Sequence, residues 1–123
     1  MARILLVDDD ADVRGALGKF LGKLGHDVVP LEDGEAALRS YREQPADLVL
    51  TDAYMPHIDG IEAAIRLRSE FPEARIVVMS GGGFRHKTDV LRLATDAGAA
   101  ATLSKPIELE QLARVVREVL GAS

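Results

Sequence analysis

Cysteine and tryptophan are absent from this chain, and aromatic residues make up only 4% of it, as two tyrosines and three phenylalanines. Without cysteine there are no disulfides and no thiolate chemistry. With so few rings, any core must be packed by aliphatic side chains. No apolar run approaches the length of a membrane span. The start Met1-Ala2-Arg3-Ile4 enters an apolar run directly, without the pattern of a signal peptide. These absences predict a cytoplasmic protein with no membrane contact. Basic clusters are missing too. The net charge is −5 and no helical face gathers lysine and arginine, which argues against phosphate-backbone contacts and hence against a nucleic-acid partner. What remains is 47% hydrophobic and 28% charged over 123 residues, enough for one domain with a real core.

Five short apolar runs alternate with five amphipathic stretches. Ile4-Leu5-Leu6-Val7 predicts a buried strand over 3–7, ended by Asp8-Asp9-Asp10. Asp10 or Asp12 caps a helix over 11–24, with Val13, Ala16, Leu17, Phe20, Leu21 and Leu24 inward and Gly25 past its end. Asp27 to Leu31 is a second strand, which Pro30 places at an edge or at its own end. A helix over 34–43 turns Ala37, Leu38 and Tyr41 inward and stops at Pro45. Leu48-Val49-Leu50 fits a third strand buried on both faces, closed by Asp52. Asp59 and Glu62 have capping-box spacing at the start of a helix over 60–70. That helix is expected to turn Ile61, Ala64 and Ile65 inward, with Leu67 off the stripe. Arg75 to Ser80 is the fourth strand, and a helix over 86–97 carries Val90, Leu91 and Ala94 inward before Gly98. Ala100 to Ser104 is the fifth strand. A helix over 108–120 follows, apolar at 109, 112, 113, 116, 119 and 120, with Val115 off its stripe. Such alternation predicts one α/β domain over 1–123, a five-stranded parallel sheet with helices on both faces.

Four of the five strands end in a residue with chemistry. The first gives Asp8 and Asp9, the third Asp52, the fourth Ser80 and the fifth Lys105. Parallel strands bring their carboxyl ends to one edge, where open α/β sheets bind ligands. Three carboxylates so close repel one another unless a cation sits among them. Hard oxygen donors at an open site suit Mg²⁺. A metal, an ammonium and a hydroxyl donor are what phosphoryl transfer needs around its equatorial oxygens. The remaining carboxylate would then act as nucleophile and form an aspartyl phosphate. None of His26, His57 and His86 has a partner at metal-ligand spacing.

Val7-Asp8-Asp9, the stretch Asp52-Ala53-Tyr54-Met55-Pro56-His57-Ile58-Asp59-Gly60, Ser80 and Lys105-Pro106 together resemble the response-regulator receiver domain, the phosphoacceptor part of two-component signalling. The motifs span the whole chain, and D-x-x-M-P-x-x-D-G with an early D-D and a late K-P is a specific combination. The resemblance, not the periodicity, implies the CheY-like, flavodoxin-like strand order 2-1-3-4-5. It further implies that Asp52 is the phosphorylated residue. Asp8, Asp9, Asp52 and the backbone carbonyl of Tyr54 would hold Mg²⁺, or Mn²⁺ as a substitute. Ser80 and Lys105 would contact the phosphoryl group, and the Lys105–Pro106 bond would be cis. The implied partners are a histidine kinase or histidine phosphotransfer protein upstream and an unspecified protein downstream. The chain is expected to be a stand-alone phosphorylation switch, not an enzyme.

Two positions depart from the family pattern. Thr102 stands where the family usually carries the tyrosine or phenylalanine that reports phosphorylation, and Gly81-Gly82-Gly83-Phe84 lengthens the segment after Ser80. A switch carried by that glycine segment is the expectation that follows. The competing enzyme reading is a haloacid-dehalogenase-like phosphohydrolase, with Asp8 and Asp10 as its D-x-D. It lacks the acidic pair after the fourth strand and a cap insertion. A flavin-binding flavodoxin-like protein fits less well, because the first loop is acidic where a flavin phosphate needs hydroxyls and amides.

Overall fold

Strands form where β-branched and leucine residues run together, and in this chain those runs line up side by side. The computed structural model describes residues 2–53, 60–80 and 87–121, apart from the side chains of 87–91. Its elements follow the expected alternation: β1 (Arg3–Val7), α1 (Ala11–Lys23), β2 (Asp27–Leu31), α2 (Gly34–Glu43), β3 (Leu48–Asp52), α3 (Gly60–Glu70), β4 (Ile76–Ser80), α4 (Lys87–Asp96), β5 (Ala101–Ser104) and α5 (Leu109–Gly121). All neighbouring strands pair in parallel, in the order β2-β1-β3-β4-β5. Pro30 therefore lies on an edge strand, as its missing amide hydrogen requires.

Alternate residues of each strand feed two cores. Leu5, Val7, Val49, Ile76 and Val78 pack under α2, α3 and α4. Ile4, Leu6, Leu48, Leu50, Val77, Met79 and Leu103 pack under α1 and α5. Both layers are almost wholly aliphatic, the packing that a ring-poor composition forces. Tyr41 and Phe71 do meet, with ring centroids 4.7 Å apart.

The helix ends follow their sequence signals. Of the two acids offered as cap, Asp10 takes the role for α1, its side chain accepting from the Asp12 and Val13 amides. Asp33 does the same for α2 at Ala36. Gly25 and Gly98, just past α1 and α4, both have positive φ. The capping box at Asp59 lies outside the described residues, as do the side chains of Val90 and Leu91.

Several inward faces need correction. In α3 the buried residues are Gly60, Ala63, Ala64 and Leu67, whereas Ile65 is exposed and Ile61 only half-buried. The reason is Gly60. Its α-carbon comes so close to the end of β3 that a Cβ there would collide with the Asp52 carbonyl oxygen. That contact sets the rotation of the helix, and positions 63, 64 and 67 share the face of 60. In α1, Leu17 and Leu21 are buried, but Ala16 is exposed off their stripe and Leu24, the C-cap, is exposed past the last turn. In α5, Leu112, Val116 and Val119 are buried. Leu109 is exposed as the first helical residue, and Val115 is half-buried against the same core.

Candidate phosphoacceptor and metal site

The carboxyl edge of the sheet collects the five residues that end its strands. Asp8 and Ser80 are buried, Asp52 is nearly so, and Asp9 is exposed. One carboxylate oxygen from each of Asp8, Asp9 and Asp52 lies within 4.8 Å of the other two. The Lys105 ammonium donates to Asp8 Oδ2 at 2.9 Å and to Asp52 Oδ2 at 3.2 Å. Burial alone would lower the Lys105 pKa. The hydrogen bond to Asp8 and the charges of Asp52 and Asp8 outweigh it and hold the pKa above the usual lysine value. Lys105 reaches the two acids from the end of β5, where its amide donates to the Ser80 carbonyl at 2.8 Å and its bond to Pro106 is cis.

Asp8 is anchored at every polar atom. Its amide donates to the Leu31 carbonyl at 3.1 Å. Its Oδ1 accepts from the Asp10 amide at 2.9 Å, and its carbonyl oxygen accepts from Arg14 Nη1 at 2.6 Å. Asp9 makes no hydrogen bond or ion pair among the described residues. On β3, Asp52 is followed by Ala53, whose amide donates to the Met79 carbonyl and whose carbonyl accepts from the Gly60 amide. These bonds and the Gly60 contact fix the strand end beneath the Asp52 carboxylate.

Ser80 Oγ is buried and has no hydrogen-bond partner among the described residues. A buried hydroxyl without a partner costs about 1–3 kcal/mol, and Ser80 Oγ is free among the described residues to donate to an atom bound at the site. Three hard oxygen donors gathered at an open edge fit a divalent cation. The structure thus brings together Asp8, Asp9, Asp52 and Lys105, with Ser80 at the end of the neighbouring strand. Tyr54 and the segment 81–84 lie outside the described residues. Thr102 is half-buried on β5, opposite Val78 in register. Asp10 is committed to capping α1, which removes the second acid of the D-x-D reading.

Sequence reasoning passed over Arg14. Its partner is a backbone carbonyl, which leaves no mark in a sequence; the only signal was an arginine beside the apolar stripe of α1.

Fold and cleft define a class: an open parallel α/β protein with an acid-and-lysine pocket at the carboxyl edge of its sheet. Within that class, the model of the response regulator receiver domain matches residues 4–117, and the chain belongs to this family of two-component signalling. It is 36% identical to the response regulator receiver protein CpdR of Brucella abortus, each chain being covered in full. It is 32% identical to the DNA-binding transcriptional regulator NtrC of Azospirillum brasilense, over 99% of this chain but only 25% of that protein. The receiver domain of NtrX from Brucella abortus aligns with a TM-score of 0.90 at 27% identity, over 98% of this chain and 99% of the other. The receiver domain of the sensor histidine kinase PA1611 from Pseudomonas aeruginosa aligns with a TM-score of 0.88 at 26% identity, over 98% of each chain. That structure has a magnesium ion coordinated in its active site cleft. Nothing in these similarities favours the phosphohydrolase alternative. Among the described residues, no helix is long and apolar enough to cross a membrane.

Proposed function

We propose that Asp52 accepts a phosphoryl group from the phosphohistidine of a histidine kinase or histidine phosphotransfer protein, in a Mg²⁺-dependent step. The observation that carries this reading is the nearly buried Asp52 carboxylate, held at 3.2 Å by Lys105 among the oxygens of Asp8 and Asp9. An Asp52 carboxylate oxygen attacks phosphorus while the bond from phosphorus to the imidazole nitrogen breaks. The imidazole leaves with that electron pair and takes up a proton from solvent. Lys105 swings its ammonium from the two acids to a phosphoryl oxygen, and the orphan Ser80 hydroxyl donates to another. Asp8, Asp9 and Asp52 would hold the cation with the Tyr54 carbonyl, and Mn²⁺ would substitute. When bound, the metal neutralises charge on the transferring group.

In this reading residues 1–123 form one receiver unit in the cytoplasm. It assists its own phosphorylation and dephosphorylation, and it turns over no external substrate. Output runs through contact with a downstream protein or through onward phosphotransfer, without nucleic-acid or membrane binding. The test is intact mass after incubation with acetyl phosphate and Mg²⁺. Wild type gains one phosphoryl group, and Asp52→Asn gains none. Equal gain in both would place the acceptor elsewhere.

A further inference from the structure

Asp9 is the least supported member of the acidic cluster. Its carboxylate is exposed and makes no hydrogen bond or ion pair among the described residues, yet one of its oxygens lies within 4.8 Å of an oxygen of Asp8 and of one of Asp52. Its direction is therefore set by its backbone. That backbone begins at the Asp8–Asp9 peptide, whose carbonyl oxygen is the acceptor of Arg14 Nη1 at 2.6 Å. A charge-assisted bond of this length is among the stronger ones a peptide group can make. Arg14 sits one turn into α1 and reaches back past the helix start, with 17% of its side chain exposed. Its own position is fixed from below, because the Arg14 amide donates to the Asp10 carbonyl at 3.0 Å. A second contact, Nη2 to Glu32 at 3.9 Å, is long, and Glu32 is 79% exposed, so it adds little.

We infer that Arg14 is a positioning residue for the metal. By holding the Asp8 carbonyl, it orients the Asp8–Asp9 peptide so that the Asp9 carboxylate meets those of Asp8 and Asp52. This rests on the assignment of the cation to those three acids. Arg14 touches neither metal nor phosphoryl group; it acts through one peptide plane. Losing it frees that peptide to rotate and carries the Asp9 carboxylate away, while Asp8 stays tied by Leu31, Asp10 and Lys105. Outer partners of metal ligands commonly contribute about 10–100-fold to affinity, and Arg14→Ala belongs in that range.

Mg²⁺ affinity is measured by calorimetric titration of the intact chain, with the melting temperature of each metal-free variant alongside. Arg14→Ala is expected to bind Mg²⁺ at least tenfold more weakly, and Arg14→Lys, which keeps one donor and the charge, to recover part of the loss. Glu32→Gln binds as wild type. Val119→Ala, a core truncation at the far end of α5, lowers the melting temperature but leaves affinity unchanged. In amide NMR, the Asp9 signal of Arg14→Ala shifts before metal is added. If Arg14→Ala proves too unstable to titrate, Arg14→Lys and Arg14→Gln carry the comparison, with glutamine below lysine in affinity. Wild-type affinity in both Arg14→Ala and Arg14→Gln overturns the inference. So does a loss in Val119→Ala equal to that in the Arg14 variants. A wild-type protein that binds no Mg²⁺ overturns the metal assignment itself.

Discussion

At the scale of single residues, Lys105 has the strongest electrostatic position. It bridges a fully buried acid and a nearly buried one, and its pKa is raised in the folded state. A raised folded pKa means that the pair's stabilisation is fully present below the ordinary lysine pKa. It is lost as pH rises through the higher folded value. Lys105→Met should cost about 2–3 kcal/mol near neutral pH in the absence of metal. That is less than for a wholly buried pair, because Lys105 keeps a fifth of its side chain in water. In urea melts, the gap between wild type and variant should persist to mildly alkaline pH and close at strongly alkaline pH. A gap that widens there would contradict the pairing.

Among the elements, α3 teaches most about what a sequence displays. Strand runs, cap residues and the five strand-end side chains are all legible, because each rests on a local pattern. The rotation of α3 is not. Ile61 and Ile65 are the bulkiest apolar residues at its start and draw the eye to their stripe, yet the helix is turned by Gly60, a residue with nothing to bury. Close approach of two backbones rewards the smallest side chain, and hydropathy has no scale for that. Arg14 was hidden for a related reason, since backbone acceptors are not written in side-chain chemistry. The corrected face makes a sharp prediction. Leu67→Ala should cost about 2–5 kcal/mol, as a fully buried leucine does, and lower the melting temperature by roughly 8 °C or more. Ile65→Ala should change stability by no more than about 0.5 kcal/mol. Thermal melts of the two variants decide it; equal losses would mean that Ile65 faces the core after all.

Taken whole, the molecule carries its electrostatic strain at one end of the sheet. Among the described residues three carboxylates face a single ammonium there, so a divalent cation should stabilise the fold by mass action. The gain is about 2.7 kcal/mol at a hundred times the dissociation constant. Asp9→Asn should melt higher than wild type without metal and respond little to Mg²⁺. Identical Mg²⁺ shifts in both would disprove the site. The pocket is also long-range in the chain: Lys105 lies 97 positions from Asp8 and 53 from Asp52. During synthesis, then, Asp52 leaves the ribosome well before its counter-ion Lys105 does. A nascent chain that has made β3 but not β5 holds the three acids without Lys105 to gather them. Under the function proposed above, such a chain lacks the ammonium that meets the transferred phosphoryl group, and it gains that ammonium only when its last strand docks.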